Sequence, residues 1–490
     1  MSMREERRPP AGCIIPVLAL LIGVLGGAFA MLGFLGLGMN EVIARMQGRA
    51  APLLIEVTPT PALHIVGGAA PGRRLVWRAP IPLDTDTSEP DLLVISRNYD
   101  RDTDTLLLFS PLEGRVRWES PPMGANGTSW VVAYSAATII VADEARLVGL
   151  SRTDGSKVWE APLTDRIFYN GCQDCLQVFG DVVVALSDDG QLQALNAHKG
   201  TPLWAVRLHQ ATRQLVRVGA MVGVPDSLEP DATEAGLFIY NPADGQLVRT
   251  IAPTCQREPQ GYVDRPHYYD YILADPQGEA LYWMLDSVNC LLRVGMGTFG
   301  GEERTFNPAF QRLDAENTLV ADGHIYLSSD QAIYTSDGQG QARLLTEVAD
   351  YNLHPLAARG SDLLVLAQRT RGSSRYELWL LDAQSGQQRW SRVLLGDDLL
   401  EDAIYDSGDT AVHLLPSGVA LIEQQADPEA LSYELLNLNN GTSQVKKELR
   451  VEDAGASLRG ITWGNQSGWL AADELYAVDL TSGETRARWP

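Results

Sequence analysis

The stretch LVGLSRTDGSKVW, residues 147–159, carries the fold. Apolar residues lead to Ser151, Gly155 follows four residues later, and Trp159 stands four beyond that. A serine hydroxyl can bond the turn's own backbone, and glycine supplies the positive φ that a tight turn needs. Alternating apolar residues on both sides make one buried face of a β-hairpin. A lone hairpin cannot bury that face, so the units must stack, with the tryptophan filling the gap between neighbouring sheets.

The same unit recurs along the chain. It reads LLLFSPLEGRVRW (106–118), LQALNAHKGTPLW (192–204), LFIYNPADGQLVR (237–249), LWLLDAQSGQQRW (378–390), LLNLNNGT (435–442) and LYAVDLTSGET (475–485). The turn glycines are Gly114, Gly155, Gly200, Gly245, Gly386, Gly441 and Gly483, each four residues after a Ser, Asn or Asp. The tryptophans are Trp118, Trp159, Trp204 and Trp390, while Arg249 and Val445 hold that place in two copies. Successive glycines lie 41, 45, 45, 141, 55 and 42 residues apart. The long gap predicts two worn copies, at 280–295 and 324–341, giving nine hairpins. A period of about 45 residues fits a four-stranded propeller blade.

The pattern apolar-x-apolar-Asp-x-x-x-Gly-x-x-x-Trp resembles the tryptophan-docking motif of quinoprotein-like (pyrroloquinoline-quinone, PQQ, repeat) β-propellers. The resemblance covers residues 70–490 and implies an all-β propeller. That family usually has eight blades, so eight are expected, with seven or nine open: one hairpin would not be a blade, or the closing blade would be shared between the chain ends.

Upstream, residues 13–39 carry no charge over 27 positions, where about 20 suffice to span a bilayer. Arg4, Arg7 and Arg8 precede them and favour a cytoplasmic N-terminus. The expected organisation is a cytoplasmic tail (1–12), a single transmembrane anchor (13–39), an extracytoplasmic linker (40–69) containing Thr58-Pro59-Thr60-Pro61, and the propeller (70–490). Ala28-Phe29-Ala30 resembles a signal cleavage site, but the apolar run continues past it, beyond the length of a signal core. The propeller is therefore expected in the periplasm or at the cell exterior.

With 62 acidic against 39 basic residues, the net charge of −23 repels phosphate backbones and argues against nucleic-acid binding. Cys172, Cys175, Cys255 and Cys290 lie outside the membrane segment. In an oxidising compartment they are expected to pair as Cys172–Cys175 and Cys255–Cys290, one of three possible connectivities. The seven histidines are scattered, and no metal, P-loop or nucleophile-elbow signature is present. Asp100, Asp102 and Asp104 alternate and are the Ca²⁺ candidates. Thr105 and Pro111 fall where an EF-hand needs glycine and glutamate, and a solvated turn is the plainer reading. Asp397, Asp398, Glu401 and Asp402 read the same way, and DRPHYYDY (264–271) reads equally as a ligand-contacting loop or as an exposed tyrosine-rich interface.

The resemblance points in two directions. The propeller of the outer-membrane assembly machinery has this repeat and no catalytic role; this chain differs from it in using a transmembrane segment instead of a lipidated cysteine. The quinone-dependent dehydrogenases add adjacent cysteines, Ca²⁺ and a catalytic aspartate, and this sequence has no adjacent cysteines. The expectation is thus a non-catalytic scaffold for envelope proteins, without bound PQQ or Ca²⁺. A small-ligand sensor and a quinone-dependent dehydrogenase are the alternatives.

Overall fold

The computed structural model describes strands and most turns between His64 and Trp489. Residues 1–63, Gly114, 168–173, 253–270 and 395–409 are among those outside the description. Every described element is a β-strand or a turn. No helix among the described residues is long and apolar enough to cross a membrane, and the expected anchor at 13–39 lies outside them.

The described strands form nine sheets, here called blades 1–9 in chain order. Blades 2 to 8 are four-stranded antiparallel meanders: 132–162, 176–207, 216–251, 271–305, 314–347, 351–393 and 410–450. Each runs from a first strand at the axis to a fourth at the rim. The first strands of blades 2 and 3, and those of blades 4 to 8 in succession, lie beside one another. The fourth strands are the most exposed, as in Lys157–Pro162 and Leu247–Ile251.

Blade 1 splits its first position between Arg73–Leu75 and Ile81–Leu83, which both pair with Asp91–Asn98. Its remaining strands are Thr103–Ser110, Arg115–Glu119 and the short Met123–Gly124. Blade 9 (460–489) gains a fifth strand, His64–Ile65, which pairs in parallel with the final strand at Ala487 and Arg488.

The count of nine corrects the expected eight. The worn copies at 280–295 and 324–341 fall in blades 5 and 6, where each covers the second and third strands (Ala280–Leu285 with Cys290–Gly295, His324–Ser329 with Ala332–Ser336) instead of the third and fourth. Both blades are complete sheets without the Gly–Trp signature, because alternation alone suffices to pair strands. The closing blade does draw on both ends of the chain, as a fifth strand added to a complete sheet.

Apolar clusters join every neighbouring pair of blades. Leu83, Leu93, Trp118, Ile139 and Val148 bridge blades 1 and 2, and Ala420, Leu431, Tyr433, Leu470 and Val478 bridge blades 8 and 9. The ring closes where Leu92, Val94, Leu107 and Phe109 of blade 1 meet Trp469, Leu475 and Ala477 of blade 9. There the rings of Phe109 and Trp469 meet edge to face, with centroids 5.9 Å apart. Near the axis, the Gln177 amide donates to the Leu215 carbonyl (2.9 Å), and Gln214 both donates to and accepts from the Ile272 backbone. Side chains thus satisfy backbone groups where one first strand meets the next.

Candidate functional site

The repeat turns all lie at the end of the blades where third strands meet fourth. In six of them the glycine N–H donates to the carbonyl of the polar residue four before it, at 2.8–2.9 Å, as from Gly155 to Ser151 and from Gly245 to Asn241. The side chains of Asn196, Asn241, Asp382, Asn437 and Asp479 accept backbone N–H groups inside the same turns. Gly155, Gly200, Gly245, Gly386, Gly441 and Gly483 have φ between 66° and 71°.

These turns receive the tryptophan of the preceding blade. The indole N–H of Trp118 donates to the Arg152 carbonyl (2.9 Å), Trp159 to Ala197 (3.0 Å), Trp204 to Pro242 (2.7 Å) and Trp390 to Leu438 (3.0 Å). Each acceptor directly follows the polar residue of the turn. A Cβ on Gly155 would stand 2.4 Å from the Trp118 ring, and one on Gly200 2.5 Å from that of Trp159. Glycine is therefore needed twice, for φ and for the ring above it.

Blade 8 lacks the tryptophan, and its substitute is one the repeat does not mark. Tyr433, on the third strand, donates its hydroxyl to the Leu480 carbonyl, and its ring lies over Gly483. Burial, helped by the Asp479 charge, pushes its hydroxyl well above the ordinary tyrosine range.

A second regularity is the β-bulge in the fourth strand, three residues after the glycine. Arg117, Val158, Leu203, Val248, Arg389, Gln444 and Arg486 are skipped in the ladder. In blades 1, 7 and 9 the bulged arginine ties back to its own blade. Arg117 pairs with Asp91 (2.6 Å) and Glu113 (2.9 Å), Arg389 with Asp362 (2.5 Å) and Asp382 (2.8 Å), and Arg486 with Asp479. In blades 2, 3 and 4 the bulge carries Val158, Leu203 and Val248, each about half exposed.

The opposite end of the blades, where second strands meet third, carries acidic groups in separate blades. Asp143 pairs with Arg146 (2.5 Å), and Asp188 with Arg166 (3.1 Å). Asp226 accepts the His209 backbone N–H (2.8 Å), and burial with this carboxylate nearby pushes Tyr240 up to about 12. Glu377 accepts the Tyr351 hydroxyl and the Trp379 indole N–H, both at 2.9 Å. Each carboxylate is thus engaged by its own surroundings, and among the described residues no three His, Cys, Asp or Glu converge as a metal group.

Of the Ca²⁺ candidates, Asp104 is buried at the start of a blade 1 strand, while Asp100 and Asp102 lie outside the described residues. Asp397, Asp398, Glu401, Asp402 and residues 264–270 are outside them too. Cys175 is buried just before the first strand of blade 3, and Cys290 opens the third strand of blade 5. Cys172 and Cys255 lie outside the description.

Residues 102–258 match the family model of outer membrane protein assembly factor BamB, a stretch running from blade 1 past the end of blade 4. No curated protein sequence matches significantly. Among solved structures, BamB from Moraxella catarrhalis is 13% identical, covering 84% of this chain and 96% of that one, with a TM-score of 0.38. A eukaryotic initiation factor is 9% identical over 74% and 89% of the two chains, with a TM-score of 0.50. A europium-containing methanol dehydrogenase is 10% identical over 83% and 85%, with a TM-score of 0.41. At such identities the likeness concerns the fold alone. With the repeat turns docked blade to blade around a ring of nine sheets, the described part of the chain is a β-propeller, similar over residues 102–258 to the BamB family model.

Proposed function

We propose that this propeller is a non-catalytic scaffold for envelope proteins, held at the membrane by residues 13–39 and placed outside the cytoplasm. The observation that carries the reading is the match of residues 102–258 to the BamB family model. A ring of blades presents many loops and edges on a rigid frame, which suits contact with several proteins at once. In this reading residues 1–12 are cytoplasmic and 40–69 form the linker, and the proposed pairs Cys172–Cys175 and Cys255–Cys290 are structural disulfides.

A quinone-dependent dehydrogenase is the alternative. The described residues do not fit a quinone and Ca²⁺ pocket: the acids at the second-to-third-strand end sit in different blades and are held by Arg146, Arg166, the His209 amide, Tyr351 and Trp379. The sequence also lacks adjacent cysteines.

The test is crosslinking of tagged full-length protein in its native membrane, followed by mass spectrometry. A stoichiometric envelope partner is expected. Recovery of the protein alone would overturn the scaffold reading, and saturable binding of pyrroloquinoline quinone would then favour the dehydrogenase.

A further inference from the structure

The bulge position differs from blade to blade along the rim. Arginines fill it in blades 1, 7 and 9 and are neutralised within their own blades, whereas blades 2, 3 and 4 expose Val158 (54%), Leu203 (45%) and Val248 (47%). Blade 4 goes further. Its fourth strand also exposes Leu247 (50%), and Arg249 replaces the docking tryptophan. The Arg249 side chain is exposed and has no ion pair or hydrogen bond among the described residues. No strand among those residues pairs with its outer edge.

Blade 9 shows what such an edge accepts. His64–Ile65 adds in parallel to the fourth strand at Ala487 and Arg488, beginning one residue past the bulge at Arg486. The equivalent residues of blade 4, four and five after the turn glycine, are Arg249 and Thr250. A bulge blunts an edge locally, and the pairing in blade 9 starts beyond it.

We propose that the outer edge of blade 4, Leu247–Ile251, docks an extended segment of a partner protein. The segment adds as a parallel strand beside Arg249 and Thr250, lays apolar side chains against Leu247 and Val248, and places a carboxylate opposite Arg249. Main-chain bonds give such a contact affinity and the alternating side chains give it specificity. A second copy of this chain is the poorer occupant, since each carries a net charge of −23. The proposal rests on the scaffold reading and names the edge that reading leaves open.

The test places a photo-crosslinking phenylalanine analogue at Val248, or at Gln444 on the bulge of blade 8, in the full-length protein in its native membrane. Mass spectrometry then identifies the crosslinked partner peptide, which is synthesised and titrated against purified protein. The expected result is crosslinking from position 248 and not from 444, to a peptide with alternating apolar residues and an acidic residue. Val248→Arg and Arg249→Glu should each weaken peptide binding roughly tenfold, and changing the peptide's acidic residue to lysine should restore binding to Arg249→Glu. Val248→Arg places at the bulge the residue type that blades 1, 7 and 9 carry, so its melting temperature should match the parent's. Equal crosslinking from both positions, or peptide binding indifferent to both variants, overturns the proposal. A partner that copurifies without crosslinking at 248 overturns it while leaving the scaffold reading intact; no partner at all overturns both.

Discussion

Trp159 and Ala197 belong to different blades and are joined by a 3.0 Å hydrogen bond from the indole nitrogen to the carbonyl oxygen. The acceptor sits inside the turn that Gly200 closes, and Gly200 lies beneath the same indole ring. Turn chemistry and blade packing are therefore one interaction: the turn must form for the indole to find its acceptor, and the indole covers the turn that has formed.

Gly200→Val tests this directly. The substitution forces a β-branched residue to a φ of 66° and drives its Cβ into the Trp159 ring. A loss of about 3 kcal/mol or more is expected from backbone strain and overpacking together. Gly180→Val is the comparison, because Gly180 has a φ of 61° with no atom within 4 Å of the added Cβ. It should cost about 1–2 kcal/mol from the backbone alone. Denaturant unfolding of both variants measures the difference, and equal losses would sink the docking argument.

Tyr433→Phe keeps the ring over Gly483 and removes the hydroxyl that donates to the Leu480 carbonyl. The buried carbonyl loses a partner, and a loss of about 1–2 kcal/mol is expected. In a spectrophotometric titration of the folded protein, this variant should lose a tyrosine that ionises later than exposed ones. A variant as stable as the parent would show that the ring alone joins blades 8 and 9.

Asp382 supplies an acid-side test. The Arg389 guanidinium, then the Ser385 amide and hydroxyl, hold its carboxyl below the usual range. A carboxyl lowered on folding contributes stability above its unfolded value near 4, and that contribution fades as the pH falls toward the folded value. The stability gap between the parent and Asp382→Asn should be constant above about pH 5 and narrow below about pH 4. A gap that ignores pH would mean that the carboxylate charge is immaterial to the turn.

His413 gives a test nearer neutrality. Its ring stacks on Trp463 with centroids 5.0 Å apart and planes 7° from parallel. Burial, and then the charge of Arg359, lowers its pKa on folding. The unfolded chain thus binds the proton more readily, so stability should fall as the pH drops below the ordinary histidine value of about 6.5. Thermal melts from about pH 7.5 down to about pH 5 should show a shallower decline for His413→Gln than for the parent. Parallel declines would remove His413 from the account.

The repeat unit was legible in the chain alone. Ser151, Gly155 and Trp159 stand close together, so the hairpin and its turn are local chemistry, and the glycine intervals gave away the blade period, including the worn copies in blades 5 and 6. Ring size was not local. Nine blades follow from contacts such as Phe109 with Trp469, which lie far apart in the chain, and from the pairing of Ile65 with Arg488. Tyr433 performs the tryptophan's role from the third strand, a position to which the repeat pattern is blind. The exposure of Val158, Leu203 and Val248 was equally hidden, because an apolar residue beside the tryptophan position reads as core until the bulge turns it outward. Local spacing specifies which hairpins form; only the closed ring settles which neighbours they meet and which edges stay open.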